Sequence, residues 1–215
     1  QTLSACPPGR QAILRGGAAA CVELCRHESE AVQLNGLRVL EALAVDADGQ
    51  KSVCTAGAAW PCVALADTTK SSSQEVQRAA LGIICKLTNL EAELAALVHA
   101  GVVPALVAQL SLGDASAQDM AAASVRQITC CEDGPGTIVQ ARGVGALVSL
   151  VKDSASSTQA HAMHALHSLA GRVEAISALA SEAGLVPACV LMLRTSADAA
   201  VRSAAAATLW RVSDA

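Results

Sequence analysis

One plan returns along this chain, with drift, and its period limits what the chain can become. Aligned on Pro104, the equivalent residue falls at Ala20, Pro61, Pro104, Gly145 and Pro187, at spacings of 41, 43, 41 and 42 residues. A unit of about forty residues cannot enclose a core of its own, so it buries its apolar face against the unit before and the unit after. The expected result is a stack of similar helical units.

Each unit carries the same punctuation. A glycine stands before or near the anchor, at Gly17, Gly57, Gly101, Gly143 and Gly184. Glycine accepts the left-handed backbone that ends a helix, and proline is welcome in a first helical turn, so a short first helix should stop here and a second begin. Polar turns follow the second helix: His27 to Glu30, Lys70 to Ser73, Gly113 to Ser116, Asp153 to Ser156 and Thr195 to Asp198. Their Ser, Thr and Asp side chains suit the caps of a third helix. That helix, starting near Ala117 in the central unit, carries apolar residues at three- and four-residue steps, as in Leu34, Leu37, Leu40 and Ala44, or Val76, Ala80, Ile83 and Leu87.

Composition agrees with an all-α stack. Hydrophobic residues make up 53% of 215, yet Trp60 and Trp210 are the only aromatics, so Ala, Leu, Val and Ile must form the core. Small side chains let helices approach closely. A net charge of -4 argues against a nucleic-acid surface, which needs a basic excess. The longest mostly apolar run, Leu94 to Leu110, contains His99, Gly101 and Pro104 and reads as two helices joined by a turn, not a membrane span. Nine cysteines would make a disulfide framework in a short secreted chain. Here Cys21, Cys62, Cys85 and Cys189 fall where other units place Leu, Val, Ile or Ala, so they read as small core residues in a reducing, cytoplasmic setting. The chain starts at Gln1, and we expect it to be a piece of a longer protein.

The sequence Ala100-Gly101-Val102-Val103-Pro104-Ala105-Leu106-Val107, with its turn, a third-helix start such as Val76-Gln77 and an Ala-x-x-x-Leu core, resembles the armadillo repeat. The resemblance covers roughly residues 10 to 215. It implies a right-handed α-α superhelix of about five repeats in a single domain, 1–215. The expected repeats lie at about 16–55, 56–98, 99–140, 141–182 and 183–215, after a partial repeat at 1–15 that includes Pro7, Pro8, Gly9 and Gln11 to Leu14. The HEAT family is the near neighbour; the glycine and proline anchor favours armadillo.

The armadillo family is known for scaffolding and for holding extended peptides in a concave groove lined by third helices. In its best-known peptide binders a Trp, and an Asn four residues later, form ladders. Here the Asn position holds Ala42, Lys86, Gln127, Ser168 and Arg211, and the Trp position holds Arg38, Gly82, Ala123, His164 and Ala207. The nuclear-import style of recognition, the importin-alpha-type ladder, is therefore not expected, and Trp210, one residue off the ladder, is expected in the core or against a following element. One turn to either side adds Asn35, Ala79, Met120, His161 and Ala204, then Val45, Asn89, Cys130, Gly171 and Asp214. Three of the four charges on this strip, Arg38, Lys86 and Arg211, are basic. The candidate partner-binding residues are Asn35, Arg38, Lys86, Asn89, Gln127, His161, His164, Ser168 and Arg211. They would take an acidic or polar segment of a protein partner, extended or helical.

Other motifs have plainer readings. His161, His164 and His167 sit at i, i+3 and i+6, with the third about 60° further round the helix and no carboxylate or cysteine beside them. We read His161 and His164 as groove residues with His167 at the side, and no metal site. Cys21 and Cys25 read as core, and Cys130-Cys131 as a helix end. Gly134-Pro135-Gly136 lacks the Lys-Ser/Thr of a phosphate loop and Asp46-Ala47-Asp48-Gly49 lacks the remaining calcium ligands, so both read as turns. No nucleophile has an identifiable base. The expected function is a non-catalytic protein interaction scaffold with no cofactor, no nucleic acid, no membrane insertion and no small-molecule substrate. The alternative is a structural subunit of a large assembly, for example ciliary or cytoskeletal, held by its ends or convex face.

Overall fold

A computed structural model describes residues 16–67 and 73–214. The expected partial repeat at 1–15 and most of the turn at 70–73 lie outside the described residues. Within them are fourteen α-helices and no strand. The chain forms two compact units, Gln1–Ala105 and Leu106–Ala215. The boundary falls inside the seventh helix.

The first unit contains α1 (Gly17–Leu24), α2 (Glu30–Leu43), α3 (Ala47–Thr55), α4 (Ala59–Ala66), α5 (Gln74–Leu87), α6 (Glu91–His99) and the start of α7 (Val102–Leu112). The second continues α7 into α8 (Ala115–Ile128), α9 (Gly134–Gln140), α10 (Gly143–Asp153), α11 (Ser156–Leu169), α12 (Val173–Ser181), α13 (Leu185–Thr195) and α14 (Ala199–Ser213). Short, second and third helices therefore alternate as the period requires. Like stacks on like: α2 on α5 in the first unit, and α8 on α11, α11 on α14, α10 on α13 and α9 on α12 in the second.

The core lies between second and third helices and is aliphatic, as composition dictates. Leu37, Leu40 and Leu43 of α2 and Leu81, Ile83, Ile84 and Leu87 of α5 are fully buried, and so in the second unit are Ile128 of α8, Leu147 of α10, Leu166 of α11 and Leu179 of the short helix α12. Each such side chain contributes about 2 kcal/mol of transfer free energy. Of the cysteines, Cys25, Cys62 and Cys189 are buried among them, whereas Cys21 and Cys85 are half-buried. Burial pushes the Cys25 and Cys189 thiols up to about 11 and raises that of Cys62 further, so they stay protonated.

The turns between helices depart from expectation in specific places. Gly57 and Gly101 have φ of 79°, the left-handed conformation that ends the short helix. At Gly101 this produces a bend of 88° between α6 and α7, so the apolar run Leu94 to Leu110 is two helices. In the next repeat the left-handed residue is not Gly143 but Arg142, at φ 59° and ψ 32°. Gly184 stays right-handed, and Gly17 already belongs to α1. Two motifs read as turns are helix starts. Gly134-Pro135-Gly136 opens α9, because proline costs no hydrogen bond in a first turn and a Cβ at 134 would overlap the Ile128 carbonyl. Asp46 caps α3 by accepting from the Gly49 amide at 2.8 Å, with Ala47, Asp48 and Gly49 inside the helix. Likewise α8 starts at Ala115, within the expected turn, because Asp114 caps it through the Ala117 amide. No single helix among the described residues is long and apolar enough to cross a membrane.

Candidate functional site

The third helices carry the candidate residues, in two groups. In the first unit, Asn35 and Arg38 lie on α2, Lys86 on α5 and Asn89 just beyond it; Asn35, Arg38 and Asn89 are exposed and Lys86 is half-buried. In the second, Gln127 lies on α8, His161, His164 and Ser168 on α11 and Arg211 on α14, all half-buried. Since α2 stacks on α5, and α8, α11 and α14 stack in order, each group shares a continuous face.

The cations of the two groups are tied between repeats. Lys86 Nζ donates to the Glu41 carbonyl at 2.9 Å and lies 3.5 Å from Glu41 Oε1. Arg211 Nη1 donates to the His167 carbonyl at 3.1 Å. Both carbonyls belong to the last turn of the preceding third helix, where the helix has no partner for them and its dipole favours positive charge. One device thus recurs at two stacks, from the same position of the repeat. Arg38 differs: its Nη2 meets Glu75 Oε1 at 2.7 Å, with both side chains more than half exposed. Within the second unit, the buried Thr158 hydroxyl donates to Asp119 Oδ1 at 2.8 Å, joining α11 to α8.

Glycine makes room for two of these links. A Cβ at Gly82 would come 3.1 Å from Glu41 Oε1, and one at Gly171 would come 2.8 Å from Arg211 Nη1. Gly82 stands at the position that carries Trp in the ladder type, so here that space holds the carboxylate that faces Lys86.

The histidine run does not gather a metal set: among the described residues no three His, Cys, Asp or Glu side chains are placed to hold an ion. Burial lowers the His161 pKa, aided by Arg126 and His164 and opposed by Asp119. Burial also lowers that of His167, with Arg211 and His164 adding to the effect. His167 Nδ1 and Arg126 Nε are buried without a hydrogen-bond partner among the described residues.

Sequence reasoning missed several residues. Glu41 and Glu75 lie off the projected strip and decide how much charge it presents. Trp210, expected in the core or against a following element, is 67% exposed among the described residues. It lines a cavity of about 330 Å³ with Gly171, Arg172, Val173, Arg211 and Asp214. Arg172 gave a signal in hindsight, because it holds the N-cap of the short helix α12, where α3 has Asp46.

No family model matches the chain, and no curated protein matches it. Solved structures do. A computationally designed armadillo repeat protein for modular peptide recognition superimposes with a TM-score of 0.84 at 24% identity, over 97% of this chain and 88% of that one. A designed armadillo repeat protein in complex with the peptide (KR)4 gives 0.80 at 22%, over 98% and 88%. An engineered protein solved by a structural genomics consortium gives 0.82 at 28% identity, over 99% of this chain and 86% of that one. Together with the recurring short, second and third helices, these matches show that the chain has the armadillo-repeat fold.

Proposed function

We propose that this chain is a non-catalytic protein interaction module whose third-helix face takes an extended or helical segment of a partner protein. The observation that carries the reading is the fold, which matches over nearly the full chain a designed armadillo protein bound to a peptide. The face supports it: Asn35, Arg38 and Asn89 are exposed, and small residues such as Ala42, Ala79, Ala123 and Ala207 leave it shallow. Modest contacts repeated over length suit such a surface.

The peptide in that designed complex is basic. Here the fixed charges favour an acidic or polar segment, but unevenly. Glu75 and Glu41 offset Arg38 and Lys86, whereas Arg211 binds a neutral carbonyl and keeps its full charge. The preference for acid therefore belongs to the α11–α14 face of the second unit.

Lys86 and Arg211 hold the stack, so charge reversal there would confound binding with folding. Asn35, Arg38 and His164 are the better probes. Full-length protein with all three changed to Glu should lose its main co-purifying partner while far-ultraviolet circular dichroism and melting stay at wild type. Retention of that partner by the folded variant would move binding off this face. A second reading then gains weight, a structural subunit held by its second helices, because these expose Trp60 (67%), Leu112, Val186 and Val190. We also propose a reducing, cytoplasmic setting, with cilium or cytoskeleton as sites of action. Its support is the use of Cys25, Cys62 and Cys189 as buried apolar residues.

A further inference from the structure

The seam between α8 and α11 holds a guanidinium that the stack does not use. In the first unit Glu41 stands one residue before the ladder position and meets Lys86 of the next third helix. Arg126 occupies the equivalent place on α8, and the residue corresponding to Lys86 is Ser168, which carries no charge. Among the described residues the Arg126 side chain makes no hydrogen bond and no ion pair, and its Nε is buried. A buried donor without an acceptor lowers stability, and a ligand that brings the acceptor removes that cost. The far side of α11 is covered by α14, so this seam lies within the stack.

Two imidazoles share the seam with that guanidinium. The Thr158 hydroxyl donates to Asp119 Oδ1 at 2.8 Å and sets the register of α11 on α8. His161 and His164 follow Thr158 by three and six residues, and Arg126 follows Asp119 by seven; all are half-buried. A long side chain on a helix leans back toward the N-terminus, which carries the guanidinium from 126 toward His161. Burial is the main influence holding the His161 pKa down; Asp119 opposes it, and Arg126 and His164 add to it. From α14, Arg211 acts on His167, and no charged group of α10 or α12 acts on either ring among the described residues. Asp119 offsets Arg126, so at neutral pH the cluster has no excess charge for a dianion. A carboxylate placed on Arg126 favours the charged form of the ring beside it, so His161 takes a proton from solvent and becomes a further donor.

We propose that Arg126, His161 and His164 form a subsite for one Asp or Glu side chain of the partner segment, and that this subsite binds more tightly as pH falls. The inference rests on the third-helix face being the binding face, and deepens it by naming the residue recognised and the condition that strengthens recognition. Arg126 supplies the charge-assisted contact, and His161 couples it to protons. It adds an unpaired cation on the side of α11 opposite to Arg211.

The test titrates the protein by calorimetry with two blocked peptides, (Glu-Ser)4 and (Gln-Ser)4, at pH 7.5 and 5.5. The expected result is binding of (Glu-Ser)4 in preference to (Gln-Ser)4, about threefold or more tighter at pH 5.5, with proton uptake seen when the titration is repeated at pH 6.5 in buffers of different ionisation enthalpy. Arg126→Gln should weaken (Glu-Ser)4 about tenfold or more, with melting no lower than wild type, since it removes an unpartnered buried donor. His161→Gln should make the affinity for (Glu-Ser)4 equal at the two pH values. Equal affinity for the two peptides, unchanged affinity in Arg126→Gln, or a pH dependence that survives in His161→Gln overturns the proposal. So does a lowered melting temperature in Arg126→Gln, because Arg126 then serves the stack. The proposed function fails separately, when the Asn35, Arg38 and His164 variant keeps its partner.

Discussion

Lys86→Met tests whether the basic residues of the third-helix face hold the stack or wait for a ligand. Methionine keeps the length of the stem and its packing and removes the charge. Two interactions go: the hydrogen bond to the Glu41 carbonyl at 2.9 Å, and the 3.5 Å approach to the Glu41 carboxylate. A hydrogen bond to a charged group contributes about 1.5–3 kcal/mol when dry. About a third of the Lys86 side chain is exposed, so screening reduces this, and the carboxylate pair adds only a few tenths. The expected loss is about 1–2 kcal/mol, or roughly 2–8 °C in Tm for a chain of this size. Urea unfolding followed by circular dichroism measures it, and Glu41→Gln completes a double-mutant cycle. Because the carbonyl remains in Glu41→Gln, most of the Lys86→Met loss should persist in that background. Arg38→Gln, which breaks an exposed pair with Glu75, should cost no more than about 0.5 kcal/mol. A Lys86→Met loss below about 0.3 kcal/mol, or one that disappears in Glu41→Gln, refutes the capping argument and returns Lys86 to the ligand-binding set.

Two further outcomes follow from single conformations and burials. Arg142 holds φ 59° with its side chain exposed, so Arg142→Gly should stabilise by about 0.5–1 kcal/mol, while Gly101→Ala, at φ 79°, should destabilise by about 1–2 kcal/mol; opposite signs in one denaturation series are the check. His161 and His167 are held below their ordinary pKa, chiefly by burial, with Asp119 and Arg126 of α8, Arg211 of α14 and His164 facing them. The unfolded chain then binds more protons than the folded one just below the ordinary histidine value, so stability is full above about pH 6.5 and falls as pH drops through that range. Urea midpoints at pH 7.5 and 5.5 measure the slope, which the double variant His161→Gln, His167→Gln should flatten.

How far the sequence could be read depended on what kind of signal each feature leaves. Leu37, Leu40 and Leu43 repeat at helical spacing and bury as that spacing demands, because periodicity and burial are one fact seen twice. Gly57 and Gly101 were legible because a left-handed residue is nearly always glycine, and Arg142 was hidden for the same reason, its cost being carried by the helices on either side. The link from Lys86 to Glu41 left no trace, since the main acceptor is a carbonyl that every residue possesses. A strip of side chains projected onto a helical wheel counts charges, whereas recognition depends on which of them remain unspent after the repeats are joined. Arg38 and Lys86 of the first unit have carboxylates against them, whereas Arg211 of the second is hydrogen-bonded to a carbonyl, so the basic residues of the strip are not equally available.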